Sequence, residues 1–502
     1  MEAMTSTAPA LRTGTAAGRG TLLAAILASG MVFLDSTVVN VALPRLGAEL
    51  GATVAGLQWT VNGYLLMLAA FVLLGGALGD RFGRRRVFLI GVVWFAAASL
   101  LCGLAQGTGT LIAARFLQGA GGALLTPGSL SVLQASFHPD DRGRAIGTWA
   151  GLSGVSTALG PLLGGWLIDT LSWRWIFFIN LPLAVAVVLA GMRWVPESRD
   201  ENVARTGAGR RRFDVAGALL GALALGGVTY ALIDAPARGL SSPSVLVAAL
   251  VGVAAVVLFV LVERRRGETA MLPVGLFSSR LFSVLNIFTV VVYAALGGFT
   301  FFLAVYLQNV VGWSALRTGL ATVPMTVLLA AGSSRAGALA ARIGPRLPLT
   351  VGPIIAALGL LLLRRVGPGA SYWVDVLPGV VLFGAGLTLV VAPLTASVLA
   401  AVADRFAGVA SGFNNAASRA GGLLAVAALP LLVGLSGTGY EQRAALTGAF
   451  RGAMLWCAGL LLTGAALAGL LIHRPAREAP PAQPCPSLPV ATPPEERRPR
   501  GA

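Results

Sequence analysis

The 502-residue chain contains no lysine: all 37 of its basic side chains are arginine, and with 20 acidic residues the charged fraction is only 11%. Ordinary soluble domains carry about 25%. Together with a hydrophobic content of 56%, this excludes a soluble globular protein of common composition and points to a membrane protein. The missing lysine reads as the coding bias of a GC-rich genome rather than a functional choice. Cysteine is equally scarce. Cys102 and Cys457 fall in apolar runs and Cys485 in the C-terminal tail, a spacing that fits neither a disulfide framework nor a metal site, so they are expected to face lipid or to pack. Only two histidines, His138 and His473, are present. They stand alone, and no long soluble loop exists to hold the acid, histidine or metal cluster of a polytopic membrane enzyme, so no metal site and no cofactor is expected. The net charge of +17 does not mark a nucleic-acid binder, because the arginines are scattered through short loops rather than gathered on one face.

What the chain does have is long apolar runs. A helix rising about 1.5 Å per residue needs about 20 residues to cross the hydrocarbon core. Runs of that length are read at 20–43, 57–78, 87–106, 109–133, 143–168, 173–195, 214–234, 243–262, 281–307, 316–340, 347–364, 373–400, 406–435 and 450–472, fourteen spans in all. The first run is too long for the h-region of a cleavable signal and is read as the first span. Arginines concentrate in alternate loops (Arg81 and Arg84 to Arg86; Arg142 and Arg144; Arg199, Arg205 and Arg210 to Arg212; Arg264 to Arg266). The positive-inside rule then places both termini in the cytoplasm; Arg364 and Arg365 run against it. The Pro-rich stretch 475–502 is expected to be disordered.

A repeat runs through the chain. GALGDRFGRRR at 76–86 returns as GALAARIGPR at 337–346, sharing Gly, Ala, Leu, Arg, Gly and Arg in register, with Ala341 in place of Asp80. GAGGALLTP at 119–127 is echoed at 384–393, and Asp141-Arg142 by Asp404-Arg405, all at nearly one offset. The expected organisation is an all-α polytopic protein made of two six-helix bundles in parallel orientation. Its parts are an N-terminal tail (1–19), a first bundle (20–195), a linker with two extra spans (196–280), a second bundle (281–472) and a tail (473–502). Alternating access, in which one half rocks against the other, is what such halves most naturally support.

Within this frame the polar residues inside spans carry the chemistry. Asp35, in FLDSTVVNVALP, is read as the only clearly intramembrane carboxylate. A charge at that depth costs about 2.5–3.5 kcal/mol, so it must face a partner or a cavity, and it is the leading proton-coupling residue. Arg115 cannot lose its charge and is the expected electrostatic neighbour; Gln118, on the same helical face, would complete the hub. In the 76–86 loop, Gly76, Asp80, Arg81, Gly83, Arg84 and Arg85 form a candidate gating motif beside a plain topogenic role. In the fifth span, Gly151, Gly160, Pro161, Gly164 and Gly165 allow close helix packing and a freed carbonyl. Tyr293, Asn414, Asn415 and Arg419, with Gln118, are the candidate substrate-binding set.

LDSTVVNVALP, the 76–86 loop, LIAARFLQGAG (111–121), GLSGVSTALGPLLGG (151–165) and WRWIFFINLP (173–182) resemble motifs of the major facilitator superfamily, specifically its 14-span drug:proton antiporter branch. Ser156 stands where glycine is common. The resemblance implies a multidrug exporter of the cytoplasmic membrane driven by the proton gradient, in which Asp35 and Arg115 couple protons. Its partners would be a small-molecule substrate, protons and the bilayer, with no nucleic acid, and it is expected to work as a monomer. A proton-coupled nutrient symporter is the alternative, with a polytopic enzyme or a receptor behind it.

Overall fold

The computed structural model describes residues 11–198, 214–267, 272–403 and 406–472. The Asp404-Arg405 echo, Cys485 and the Pro-rich stretch 475–502 lie outside them. Among the described residues fourteen long helices follow one another: α1 (Ala16–Leu50), α2 (Val54–Phe82), α3 (Arg84–Gly103), α4 (Thr108–Ser136), α5 (Pro139–Thr170), α6 (Trp175–Trp194), α7 (Val215–Arg238), α8 (Pro243–Arg266), α9 (Arg280–Asn309), α10 (Ala315–Ile343), α11 (Arg346–Leu363), α12 (Tyr372–Ala400), α13 (Ala407–Leu432) and α14 (Arg443–Leu471). Thirteen are long and apolar enough to cross a membrane. The exception is α4, which carries Arg115 and Gln118 among glycines and hydroxyl residues.

Local chemistry sets the helix ends. Thr15, Thr53, Asp214, Ser279 and Ser314 each accept a backbone N–H of the first turn, satisfying one of the donors a helix start leaves unpaired. At the other end of α2, Gly83 adopts φ +108°, and its repeat partner Gly344 ends α10 at φ +88°. A side chain is strained there, which accounts for glycine at both repeat positions.

The halves repeat one packing scheme. In the first, α4 packs on α2 and α3, α1 on α5 and α6, and α3 on α6; in the second, α12 packs on α10 and α11, α9 on α13 and α14, and α11 on α14. The hairpin α7–α8 is extra. Its α7 lies against α2 and α13, one from each half, so it covers one of the two seams between the bundles, while α8 turns residues such as Leu250, 68% exposed, outward. Where lipid replaces water, such apolar exposure costs nothing.

The second seam, α5 against α10, is uncovered and splayed. At the end away from the termini the two helices touch: a side chain at Gly165 would run into the backbone of Ala315 and Leu316, and one at Gly319 into the Pro161 carbonyl. Toward the end carrying the 76–86 loop, Gly143, Gly147, Gly151 and Gly154 of α5 have no neighbour in reach of an added methyl. The far end is tied by polar contacts between halves. Gln58 Nε2 donates to the carbonyls of Val426 (2.7 Å) and Ala427 (3.0 Å), Gln308 Nε2 to Val41 O (2.8 Å), and Tyr440 Oη to Ala52 O (2.6 Å). Burial, with Glu441 beside it, pushes the Tyr440 hydroxyl up to about 12, so it remains a donor at physiological pH. Asp169, at the end of α5, accepts the backbone N–H groups of Ala315 (3.2 Å) and Leu316 (2.8 Å), placing a carboxylate on the positive end of α10. At this seam the halves are therefore closed at the far end and apart at the loop-motif end, whereas at the other Gly412 of α13 still meets Leu73 of α2.

Candidate functional site

Asp35 lies in the middle of α1 and is completely buried, as are Arg115 (1% exposed) and Gln118. Arg115 Nη1 donates to Asp35 Oδ2 at 2.6 Å and to Gln118 Oε1 at 2.7 Å, and Arg115 Nε to the Thr60 carbonyl at 3.1 Å. Gln118 Nε2 donates to the second Asp35 oxygen at 2.8 Å. Its amide also reaches Ser99 Oγ (3.2 Å), which accepts from Asn180 Nδ2 (3.0 Å) and donates to Phe177 O (2.9 Å). The guanidinium lies 4.3 Å above the Tyr64 ring, a favourable position for a cation. Five helices thus supply one buried polar cluster in an apolar bundle, its members bonded to one another except for Asn180 Oδ1, which has no partner among the described residues. A buried charge pair of this kind is tolerated only when its remaining donors and acceptors are occupied, and both carboxylate oxygens here accept hydrogen bonds.

The loop motif works inside the first half. Asp80 pairs with Arg84 (Nε–Oδ1 2.9 Å). Arg85 donates its backbone N–H to Glu197 Oε1 (3.2 Å) and its guanidinium to Met192 O (2.6 Å), fastening the loop to the end of α6. Its repeat partner Arg346 donates to Gly469 O near the end of α14. Gly76 packs over Pro127, and Arg81 lies over the Phe82 ring. Along α5 the small residues divide by direction: Gly160 and Gly164 abut Thr37 and Val38 of α1, Gly165 and Pro161 meet α10, and Gly151 faces the open side.

Residues 25–426 match the family model of the Major Facilitator Superfamily. The chain belongs to that superfamily. Relatives of this major facilitator include a tetracenomycin C resistance and export protein of Streptomyces glaucescens (36% identical, covering 82% of this chain and 75% of the relative) and a puromycin resistance protein of Streptomyces alboniger (36%, 90% of each). A methylenomycin A resistance protein of Bacillus subtilis is also 36% identical, over 83% of this chain and 88% of its own. Among solved structures, a peptide transporter in complex with sulfate superposes with a TM-score of 0.64 at 15% identity (92% and 98% covered), and an inward-facing bacterial homologue of the lysosomal transporter Spinster with 0.60 at 17% (91% and 97%). At such identities these two speak for the fold alone. The chain is thus a multi-pass membrane transporter and not an enzyme, related to antibiotic and drug resistance exporters.

In this major facilitator the remaining candidate residues fall in two places. Gln118 belongs to the Asp35–Arg115 cluster and is itself fully buried. Tyr293, Asn414, Asn415 and Arg419 are partly accessible on α9 and α13. Asn414 Nδ2 donates to Thr289 Oγ1 (2.7 Å) and Asn286 Oδ1 (3.2 Å), and Arg419 Nε to Asn415 Oδ1 (3.3 Å). Asp35 is not alone as a buried acid: Glu263, near the end of α8, is 1% exposed and accepts the Leu272 N–H at 2.9 Å. It escapes notice because ERRR at 263–266 reads as a charged loop flank. Of the two roles expected for Cys102 and Cys457, packing is the one they take: both are fully buried. Ser99, Asn180, Thr60 and Asp169 are functional contributors that sequence reasoning missed. Only Asn180 carried a signal, an amide in an apolar run.

Proposed function

We propose that the protein is a secondary active exporter of amphipathic small molecules that exchanges them for protons by alternating access, with Asp35 as the proton-carrying group. The observation that carries this reading is the direct, fully buried Asp35–Arg115 pair inside one of two halves that repeat the same packing. Protonating Asp35 discharges the carboxylate and weakens its hold on Nη1 of Arg115 and on the Gln118 amide. The permanent charge of Arg115 then needs compensation from Gln118, the Thr60 carbonyl and the Tyr64 face. A single proton thereby changes how α1 is bound to α4, and α1 also packs against α5 and α9, which connects the proton site to both seams. The arginine-rich loops support a cytoplasmic position for the motif-loop end, where substrate would enter. The names of the resistance and export relatives support an outward direction of transport over nutrient uptake.

The test is proton movement in proteoliposomes carrying an imposed pH gradient, with wild type and Asp35→Asn compared at equal incorporation. The wild type is expected to couple substrate efflux to proton entry, and the Asn variant to insert normally but lose pH-driven transport. Undiminished coupled efflux from the variant overturns the proton assignment. Substrate and proton moving in the same direction favours the symporter.

A further inference from the structure

Arg419 occupies the middle of the 26-residue helix α13, and its circumstances are the reverse of those of Arg115. Arg115 is sealed, with its guanidinium spent on Asp35, Gln118 and the Thr60 carbonyl. Arg419 remains partly accessible, its Nε bonds to Asn415, and among the described residues no carboxylate lies within ion-pair distance of it. The carboxylate closest to it in kind, Asp35, is held at 2.6 Å by Arg115. Gly412, two turns before Arg419 on the same face of α13, meets Leu73 of α2, so that face of α13 is turned to the opposite half. The guanidinium therefore sits where the two halves face each other.

An uncompensated, permanently ionised group at mid-membrane depth is costly, and such positions mark substrate pathways. A guanidinium matches a carboxylate bidentately and repels a cation at the same spot. We propose that Arg419 is an anion receptor between the halves, and that the molecules it selects are amphipathic acids whose carboxylate or acidic hydroxyl meets the guanidinium. The assignment rests on the exporter reading and adds the substrate's charge sign to it. It also explains why the second half needs no acid opposite Arg419: the ligand supplies one.

Equilibrium binding to the full chain in lipid nanodiscs, in chloride-free buffer, tests this with three matched probes: 2-naphthoate, 2-naphthylmethanol and 2-naphthylmethylammonium. The wild type is expected to bind the carboxylate at least about tenfold more tightly than the alcohol, as for one charge-assisted contact, and the ammonium most weakly. Arg419→Gln should remove that preference while leaving alcohol binding and thermal stability intact, and Arg419→Lys should keep part of it. A wild type that binds the carboxylate no better than the alcohol, including no binding of either, overturns the proposal, as does Arg419→Gln retaining the full preference. Because binding is read without a gradient, failure of proton-coupled transport with the preference intact counts against the exporter reading alone. Transport without the preference counts against the anion receptor alone.

Discussion

In the first half, α1 and α4 meet through Asp35 and Arg115, 2.6 Å apart and buried. In the second, the corresponding helices α9 and α12 meet through Phe299 and Phe383, whose ring centroids lie 4.3 Å apart. The helix packings around these two contacts are alike, so the scaffold does not require a charge at this place. The first half holds a pair whose strength depends on a proton; the second holds one that does not. Duplication has left one half with a charge pair at this place and the other with an aromatic pair.

The sharpest way to break the comparison is to remove one partner from each contact. Arg115→Leu strands the Asp35 carboxylate among apolar helices and is expected to cost about 3–5 kcal/mol, as when a buried pair loses one member. Phe383→Leu, a hydrophobic exchange, should cost less than about 1.5 kcal/mol. Unfolding of the purified protein in detergent measures both. Equal losses would mean that the charge pair is ordinary packing.

Removing both charges should separate stability from function. Asp35→Leu with Arg115→Met makes the first half resemble the second, and since apolar replacement of a buried pair is neutral or stabilising by about 1–4 kcal/mol, the double variant should recover the stability that Arg115→Leu loses. It should nonetheless transport nothing in response to a pH gradient. Coupled transport by this variant would place the proton elsewhere, with Glu263 the first alternative to try.

How much of this could be read beforehand follows from what kind of fact each element is. The fourteen spans were legible because hydrophobic length is a local property, and even α4 was legible despite Arg115 because its flanks are apolar. Asp35 was legible for the same reason, a charge being conspicuous in such a run. Its setting was not. Ser99, Thr60 and Asn180 are ordinary polar residues on three other helices, and only packing brings them to one cluster. Gln118 could be placed on the face of Arg115 by helical spacing, yet which of its two expected roles it fills depends on where α1 and α3 sit. Asp169 carried no signal at all, since its partner amides on α10 are 146 and 147 residues away.

The two ends of the uncovered seam give a finer comparison. Gly165 touches α10 at the closed end, and a side chain there would meet backbone, which cannot move aside cheaply. Gly165→Leu should cost about 1–3 kcal/mol in this conformation, which shifts the population toward a molecule open at the far end. Gly151 faces open space, so Gly151→Leu should leave this conformation within about 0.5 kcal/mol and obstruct the opposite one instead. Distances between spin labels on α5 and α10 at both ends should therefore change in opposite senses. A shift of the same sign for both variants would show that the seam does not rock.

The smallest effect belongs to the far-end latch. Asp169 meets two backbone donors at the start of α10, and a carboxylate at a helix N-terminus contributes about 0.3–1 kcal/mol. Asp169→Asn keeps an accepting oxygen and the size but loses the charge, so closure at the far end should weaken by that amount, a population change of about twofold to fivefold. Because the latch joins the halves only when the far end is closed, the variant should raise labelling of a cysteine introduced at Leu316 without lowering thermal stability in step. A fall in stability with no change in labelling would make Asp169 a helix cap and nothing more, and would leave closure to Gln58, Gln308 and Tyr440, whose contacts to the opposite half carry no charge.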